Sequence, residues 1–233
     1  MSTVPLGLYV HLPWCERKCP YCDFNSHQLD DIPEDAYVDA LLDDLEHDLP
    51  RAGGRGIDSV FLGGGTPSLF SVAAIERLLN GIRARARLSS DAEITLEANP
   101  GSAEAARFAG YRAAGVNRVS LGVQSFDDDS LLRLGRVHDS AQACRAIEAL
   151  HTAGFQRFNL DLMHGLPGQT AELALADLEQ ALSFEPPHLS WYELTLEPNT
   201  VFHKFPPTLP DEDVLARQDR GGEALLRASG LEN

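Results

Sequence analysis

An α/β fold built on one parallel sheet, rolled into an open, partial (β/α)6 barrel, is predicted by three observations. Six short runs of β-forming residues alternate with six segments of helical periodicity, which is the pattern of right-handed crossovers in a parallel sheet. The chain has 233 residues, whereas a closed eight-stranded barrel takes about 250. The chemically unusual residues fall directly after the strand runs, where such sheets collect their functional groups.

The strands are expected at 7–12, 59–62, 93–97, 118–123, 157–163 and 188–196. The helices are expected at 34–49, 71–87, 102–114, 140–153, 170–184 and 211–229. The first helix carries Tyr37, Val38, Leu41, Leu42 and Leu45 on one side and acids on the other. The second opens on Ser71 and carries Ile75, Leu78, Leu79 and Ile82. The third follows Pro100-Gly101, with Ser102 as the N-cap that accepts from the first free amides. The last three follow the same rule, and the final helix stops at Gly230.

The first strand runs into Cys15, Cys19 and Cys22, a C-x3-C-x2-C pattern within eight residues. Three thiolates at this spacing suit three corners of a cubane iron–sulfur cluster and leave one iron open. Electron-carrying four-iron sites use four cysteines, and structural zinc sites want four ligands. Two other readings are zinc with His11 or His27 as fourth ligand, and three small buried apolar side chains. Arg17, Lys18 and two nearby prolines make poor core sequence. Cys144, the remaining cysteine, lies in the fourth helix and reads as a buried helix residue.

Scarce, clustered cysteine predicts metal chemistry in a reducing cytoplasm over a disulfide framework. No apolar run approaches the about 20 residues that cross a bilayer, and Met1-Ser2-Thr3-Val4-Pro5 lacks the basic and apolar regions of a signal peptide. A net charge of −16 opposes nucleic acid as the main partner, since phosphate binding rests on Lys and Arg.

The remaining strand ends carry the candidate small-molecule ligands. Gly63-Gly64-Gly65-Thr66 lets the backbone approach a ligand closely, or makes only a tight corner; with no G-K-[ST] it is no phosphate loop. Glu97 and Asp161 stand on strands that should be apolar, so they need a ligand or a structural partner. Gln124, Arg136 and Tyr192 follow at the same mouth. Tyr9 points from the first strand toward it, and Tyr21 adjoins Cys22. His11 could support the cluster, and His138 and His164 flank the mouth.

In order and spacing, these motifs resemble the radical S-adenosylmethionine (SAM) superfamily, and within it the oxygen-independent coproporphyrinogen III oxidase-like proteins. The resemblance runs from Tyr9-Val10-His11-Leu12-Pro13-Trp14-Cys15 through Glu197-Pro198-Asn199-Thr200. It implies a TIM-like partial barrel of the radical SAM type. It also implies a [4Fe-4S] cluster on Cys15, Cys19 and Cys22, whose fourth iron takes SAM and whose one-electron reduction cleaves it. Tyr9, Tyr21, Gly64, Gly65, Thr66 and Glu97 would contact SAM. Gln124, Arg136 and Asp161 would contact the same or a second SAM.

Two departures bear on function. The decarboxylating oxidases carry a further cysteine two residues after the third cluster ligand, where this chain has Phe24. Cys22-Asp23-Phe24-Asn25-Ser26-His27 resembles the HemW branch of haem chaperones instead. That branch has a His-Asn-x-x-Tyr-Trp motif downstream of the barrel, and none of the eight histidines here precedes Asn. Residues 1–233 are therefore expected to be the radical SAM core of a truncated chain, without the family's C-terminal domain.

Two functions follow as expectations. One is a haem chaperone passing haem to an acceptor protein. The other is a radical SAM oxidase that decarboxylates coproporphyrinogen III without oxygen, using an electron donor. Phe24 favours the chaperone. An RNA-directed enzyme is opposed by the net charge.

Overall fold

The computed structural model describes residues 4–232, the side chains at 102 and 103 excepted. Six strands form one parallel sheet in chain order: β1 (Gly7–Leu12), β4 (Ile57–Gly64), β5 (Leu88–Ala98), β6 (Arg118–Gln124), β7 (Phe158–His164) and β8 (His188–Glu193). Every neighbouring pair is parallel. β1 and β8 stay unpaired with each other, so the barrel is open. A second, two-strand parallel pair joins β2 (Trp14–Cys15) to β3 (His27–Gln28).

The helices are α1 (Glu34–Asp48), α2 (Val72–Arg85), α3 (Ser102–Ala105), α4 (Phe108–Ala114), α5 (Asp128–Arg133), α6 (Ser140–Thr152), α7 (Ala171–Leu182), α8 (Val201–Lys204) and α9 (Glu212–Ala228). Ser71, Thr170 and Asp211 cap α2, α7 and α9 by accepting from amides three residues on. The fourth expected helix is capped by Asp139 in a capping box with Gln142, so Ser140 lies inside it. The cap expected at Ser102 lies outside the described side chains.

The expected helix at 102–114 is two helices. Arg107 stands between them and donates to the Ser68 and Leu69 carbonyls at 3.1 and 2.9 Å, so the chain bends to meet the Pro67–Leu69 turn that follows β4. The short α5 follows Asp127, whose side chain accepts from Ser130 N.

Strand alternation sorts the side chains. Val10, Leu12, Val60, Leu62, Ile94, Leu96, Leu121, Leu160 and Leu162 point outward and form the core with the helices. Glu97, Ser120, Asn159, Asp161, Ser190 and Tyr192 point inward and line a cavity of about 560 Å³. Parallel sheets are ordinarily apolar on both faces; here the inner face is polar because it serves the cavity. α9 packs closely on α7 and β8: a Cβ at Gly222 would run into the Trp191 ring. Among the described residues, no helix is long and apolar enough to cross a membrane.

Candidate functional site

The cysteine loop is pinned at both ends. His27 N donates to Pro13 O at 2.7 Å and Leu29 N to Cys15 O at 3.4 Å. Lys18 Nζ donates to the Phe24 and Ser26 carbonyls at 2.9 and 3.2 Å, so its charge serves to close the loop. His11 Nε2 lies 2.9 Å from Asn25 O, and its Nδ1 lies 2.9 Å from the Tyr9 hydroxyl. The carbonyl can only accept, so Nε2 carries the proton and Nδ1 accepts from Tyr9. Both ring nitrogens are thus engaged, which leaves His11 no free donor for zinc.

Cys15, Cys19 and Cys22 are free thiols lining the same cavity. Burial pushes the Cys22 thiol up, and Cys19 and Cys15 raise it further. The Cys22 sulfur therefore feels its two neighbours, and a cation held between them would offset that repulsion. Among the described residues, no three His, Cys, Asp or Glu side chains converge on a single metal ion. A cluster asks for something different, one thiolate on each of three separate irons. The donor set fits that group: three sulfurs on one pinned loop, open to a cavity of small-molecule size, typically about 300–1,000 Å³.

The glycine turn meets the loop backbone to backbone. Gly65 N donates to Leu12 O at 2.8 Å and Thr66 N to Trp14 O at 2.7 Å. A Cβ at Gly65 would lie 2.8 Å from the Pro13 carbonyl carbon. Gly64 has φ +120°, and its amide donates to Glu97 Oε2 at 3.1 Å. With the amides of Gly64, Gly65 and Thr66 already used, the backbone of this turn can offer a ligand only carbonyl oxygens. That suits a cationic donor such as an ammonium.

Two of the carboxylates that line the cavity, Glu97 and Asp161, stand on the inner face of the sheet. Burial pushes Glu97 up to about 7, against the Gly64 bond and with Asp161 adding to the rise. Burial also raises Asp161, against the hydrogen bonds it accepts; Ser120 Oγ and Asn159 Nδ2 donate to it at 2.9 and 2.6 Å. A cation bound between them would offset the burial that raises both groups.

On the far side stands Gln124 with φ +68°, at a register shift between β6 and β7. A positive φ at a non-glycine residue is strained, and the irregularity turns the side chain to accept from Tyr192 Oη at 3.0 Å. A hydrogen-bond chain crosses the mouth. Asn99 Nδ2 donates to Thr66 Oγ1 at 3.0 Å, Arg136 Nη2 donates to Asn99 Oδ1 at 2.6 Å and to Gly122 O at 2.9 Å, and Arg136 Nη1 reaches Cys19 Sγ at 3.6 Å. Tyr21 lines the cavity beside this chain, and burial raises its hydroxyl pKa.

The structure thus brings Cys15, Cys19, Cys22, Tyr21, Gly64, Gly65, Thr66, Glu97, Gln124, Arg136 and Asp161 to one cavity. Tyr9 is not among the lining residues. It is 57% exposed and stacks on Phe61, which does line the cavity, at 6.3 Å. His164 does not flank the mouth: an odd step from Asp161, it points to the helical side, 4.2 Å from the Trp191 ring and 3.7 Å from Asp219 Oδ1. His138 is buried behind the mouth with Nε2 on Val123 O at 3.0 Å; burial and Arg136 hold it down at about 4. Asn99, Ser120, Gly122 and Asn159 were missed. A period-two count inward from Asp161 and Gln124 would have found Asn159, Gly122 and Ser120.

Residues 9–181 match the radical SAM superfamily. The chain is 56% identical over 229 residues to the heme chaperone HemW of Escherichia coli K12, covering 98% of this chain and 61% of that protein. It is 40% identical over 229 residues to the mitochondrial radical S-adenosyl methionine domain-containing protein 1 of Mus musculus, covering 97% and 52%. The coproporphyrinogen III oxidase HemN of Escherichia coli, a radical SAM enzyme, superposes with a TM-score of 0.87 at 31% identity, over 97% of this chain and 53% of that one. The chain therefore spans about three fifths or less of the length of these relatives. With the family matched across β1 to α7 and the fold shared with HemN, this chain belongs to the radical SAM superfamily, whose members carry a [4Fe-4S] cluster and SAM.

Proposed function

We propose that this chain is the cluster- and SAM-holding core of a cytoplasmic haem chaperone. Cys15, Cys19 and Cys22 ligate three irons of a [4Fe-4S] cluster and leave the fourth for SAM. When bound, cluster and SAM supply one-electron chemistry at a sulfonium. The Gly64–Thr66 carbonyls and the Glu97 carboxylate receive the cofactor's cationic and hydroxyl groups. Asp161, Gln124 and Arg136 stand opposite, and Tyr21 closes the side beside Cys19. Tyr9 acts through His11, by fixing the end of the cysteine loop. The partners are haem and an acceptor protein of unknown identity.

The observation that carries the chaperone reading is Phe24. It lines the cavity beside Cys22, 58% exposed, at the position where the resemblance puts a cysteine in the decarboxylating branch. A phenyl ring at this rim can neither ligate a metal nor exchange a proton, but it can pack on a flat apolar ligand. The name of the HemW relatives supports the same reading. The competing reading, a coproporphyrinogen III oxidase, rests on the likeness to HemN.

Product analysis and haem titration on the reconstituted chain decide between them. With SAM, a reductant and coproporphyrinogen III, no vinyl product is expected, while haem gives weak, saturable binding. Turnover to the vinyl product overturns the chaperone reading.

A further inference from the structure

Arg136 is a buried cation without a carboxylate. Among the described residues, no Asp or Glu lies in ion-pair range of its guanidinium. Two of its hydrogen bonds go to the neutral oxygens of Asn99 and Gly122, and the third reaches Cys19 Sγ at 3.6 Å. Its Nε is buried and has no partner. A charge taken out of water needs an opposite charge near it, and the sulfur that Arg136 reaches is that of Cys19, a ligand of the anionic cluster in the reading above.

We propose that Arg136 is a positioning residue that sets the reduction potential of the cluster through the Cys19 sulfur. This rests on the cluster reading above. Hydrogen bonds to cluster sulfurs and the charge around them set such potentials. The reduced cluster carries one more negative charge than the oxidised one, so a fixed guanidinium against Cys19 favours the reduced state. The step is the transfer of one electron from an external low-potential donor. No bond forms or breaks at Arg136 and no proton moves there, because arginine stays charged throughout. Asn99 matters as the anchor: it holds Nη2 so that Nη1 points at the sulfur.

The test is an anaerobic potentiometric titration, followed by the electron paramagnetic resonance signal of the reduced cluster, without SAM. The proteins are the parent, Arg136→Gln, Arg136→Lys and Asn99→Ala. Iron content is measured first, so that loss of the cluster is separate from a change in its potential. Arg136→Gln should keep its iron and shift the midpoint to more negative potential, by about tenfold in the one-electron equilibrium constant or about 59 mV. Arg136→Lys and Asn99→Ala should shift it the same way by less. Normal iron with an unchanged midpoint in Arg136→Gln overturns the proposal. If Arg136→Gln assembles no cluster, midpoints equal to the parent's in both other variants overturn it. A parent that takes up no cluster removes the cluster reading, and this one with it.

Discussion

The Gly64 amide donates to Glu97 Oε2 across 3.1 Å, from the end of β4 to the end of β5. This bond holds one carboxylate oxygen and leaves the other toward the cavity. It also lowers the Glu97 pKa, but burial, the larger influence, takes it up to about 7. A cationic ligand must therefore bind the ionised form of a group that is partly protonated at neutral pH.

SAM affinity of the reconstituted protein should accordingly depend on pH. Protonation below about 7 removes the anion that meets the cation, so binding should weaken by up to about tenfold from pH 8 to pH 6. Glu97→Gln should bind SAM more weakly and lose that pH dependence, with iron content near the parent's. Equilibrium titration of both proteins at several pH values checks this; a flat profile in the parent contradicts it. The same shift acts on folding. Between the ordinary carboxylate range and about 7 the folded state keeps a proton that the unfolded chain has released, so this group's contribution to stability falls as pH rises.

Gly64 should resist substitution for a reason separate from any cofactor. Its φ is +120°, and an added Cβ would lie 2.6 Å from His11 Nδ1. Gly64→Val should destabilise the apoprotein by about 1–3 kcal/mol from backbone strain, with a further loss from displacing His11 off Asn25. Denaturant unfolding of apoprotein measures it, and an unchanged midpoint would show that the turn relaxes freely.

The sheet and its polar cargo were legible for different reasons. β1 was read at 7–12 and lies at Gly7–Leu12, because Pro13 and the cysteines bound it sharply. β5 begins at Leu88, five residues before the reading, since Ser89-Ser90-Asp91 looks like a turn; Ser89 is held by Asp58 at 2.8 Å. β2 and β3 are two residues each, too short to show any period. The α3–α4 break follows from Arg107 reaching Ser68 and Leu69 far along the chain, which no local pattern reveals. The cavity residues after the strands could be read because parallel-sheet chemistry collects there. His164 was misplaced because position along the strand was used without its parity. Arg136 could be singled out from motif order, but its contact with Cys19, 117 residues away, depends on α5 and the loop after it.

Gln218 should be a stability determinant with no part in the site. It is fully buried in α9; its Oε1 accepts from Gly165 N at 3.0 Å and its Nε2 donates to Thr170 O at 3.2 Å. Gln218→Ala leaves the buried Gly165 amide without that partner, at a cost of about 1–3 kcal/mol. A lower denaturant midpoint at unchanged iron uptake is the expected result. Equal stability would mean that water replaces the side chain.

Site-by-site loss of the cluster tests the account most directly. Anaerobic reconstitution of the parent should give about one four-iron cluster per chain, with an absorbance that air bleaches. Cys15→Ala, Cys19→Ala and Cys22→Ala should each abolish it. Cys144→Ala, on α6 and outside the cavity lining, should keep the parent's iron and sulfide. Loss of the cluster in Cys144→Ala as complete as in the other three, or a full cluster in any of those three, would contradict the assignment.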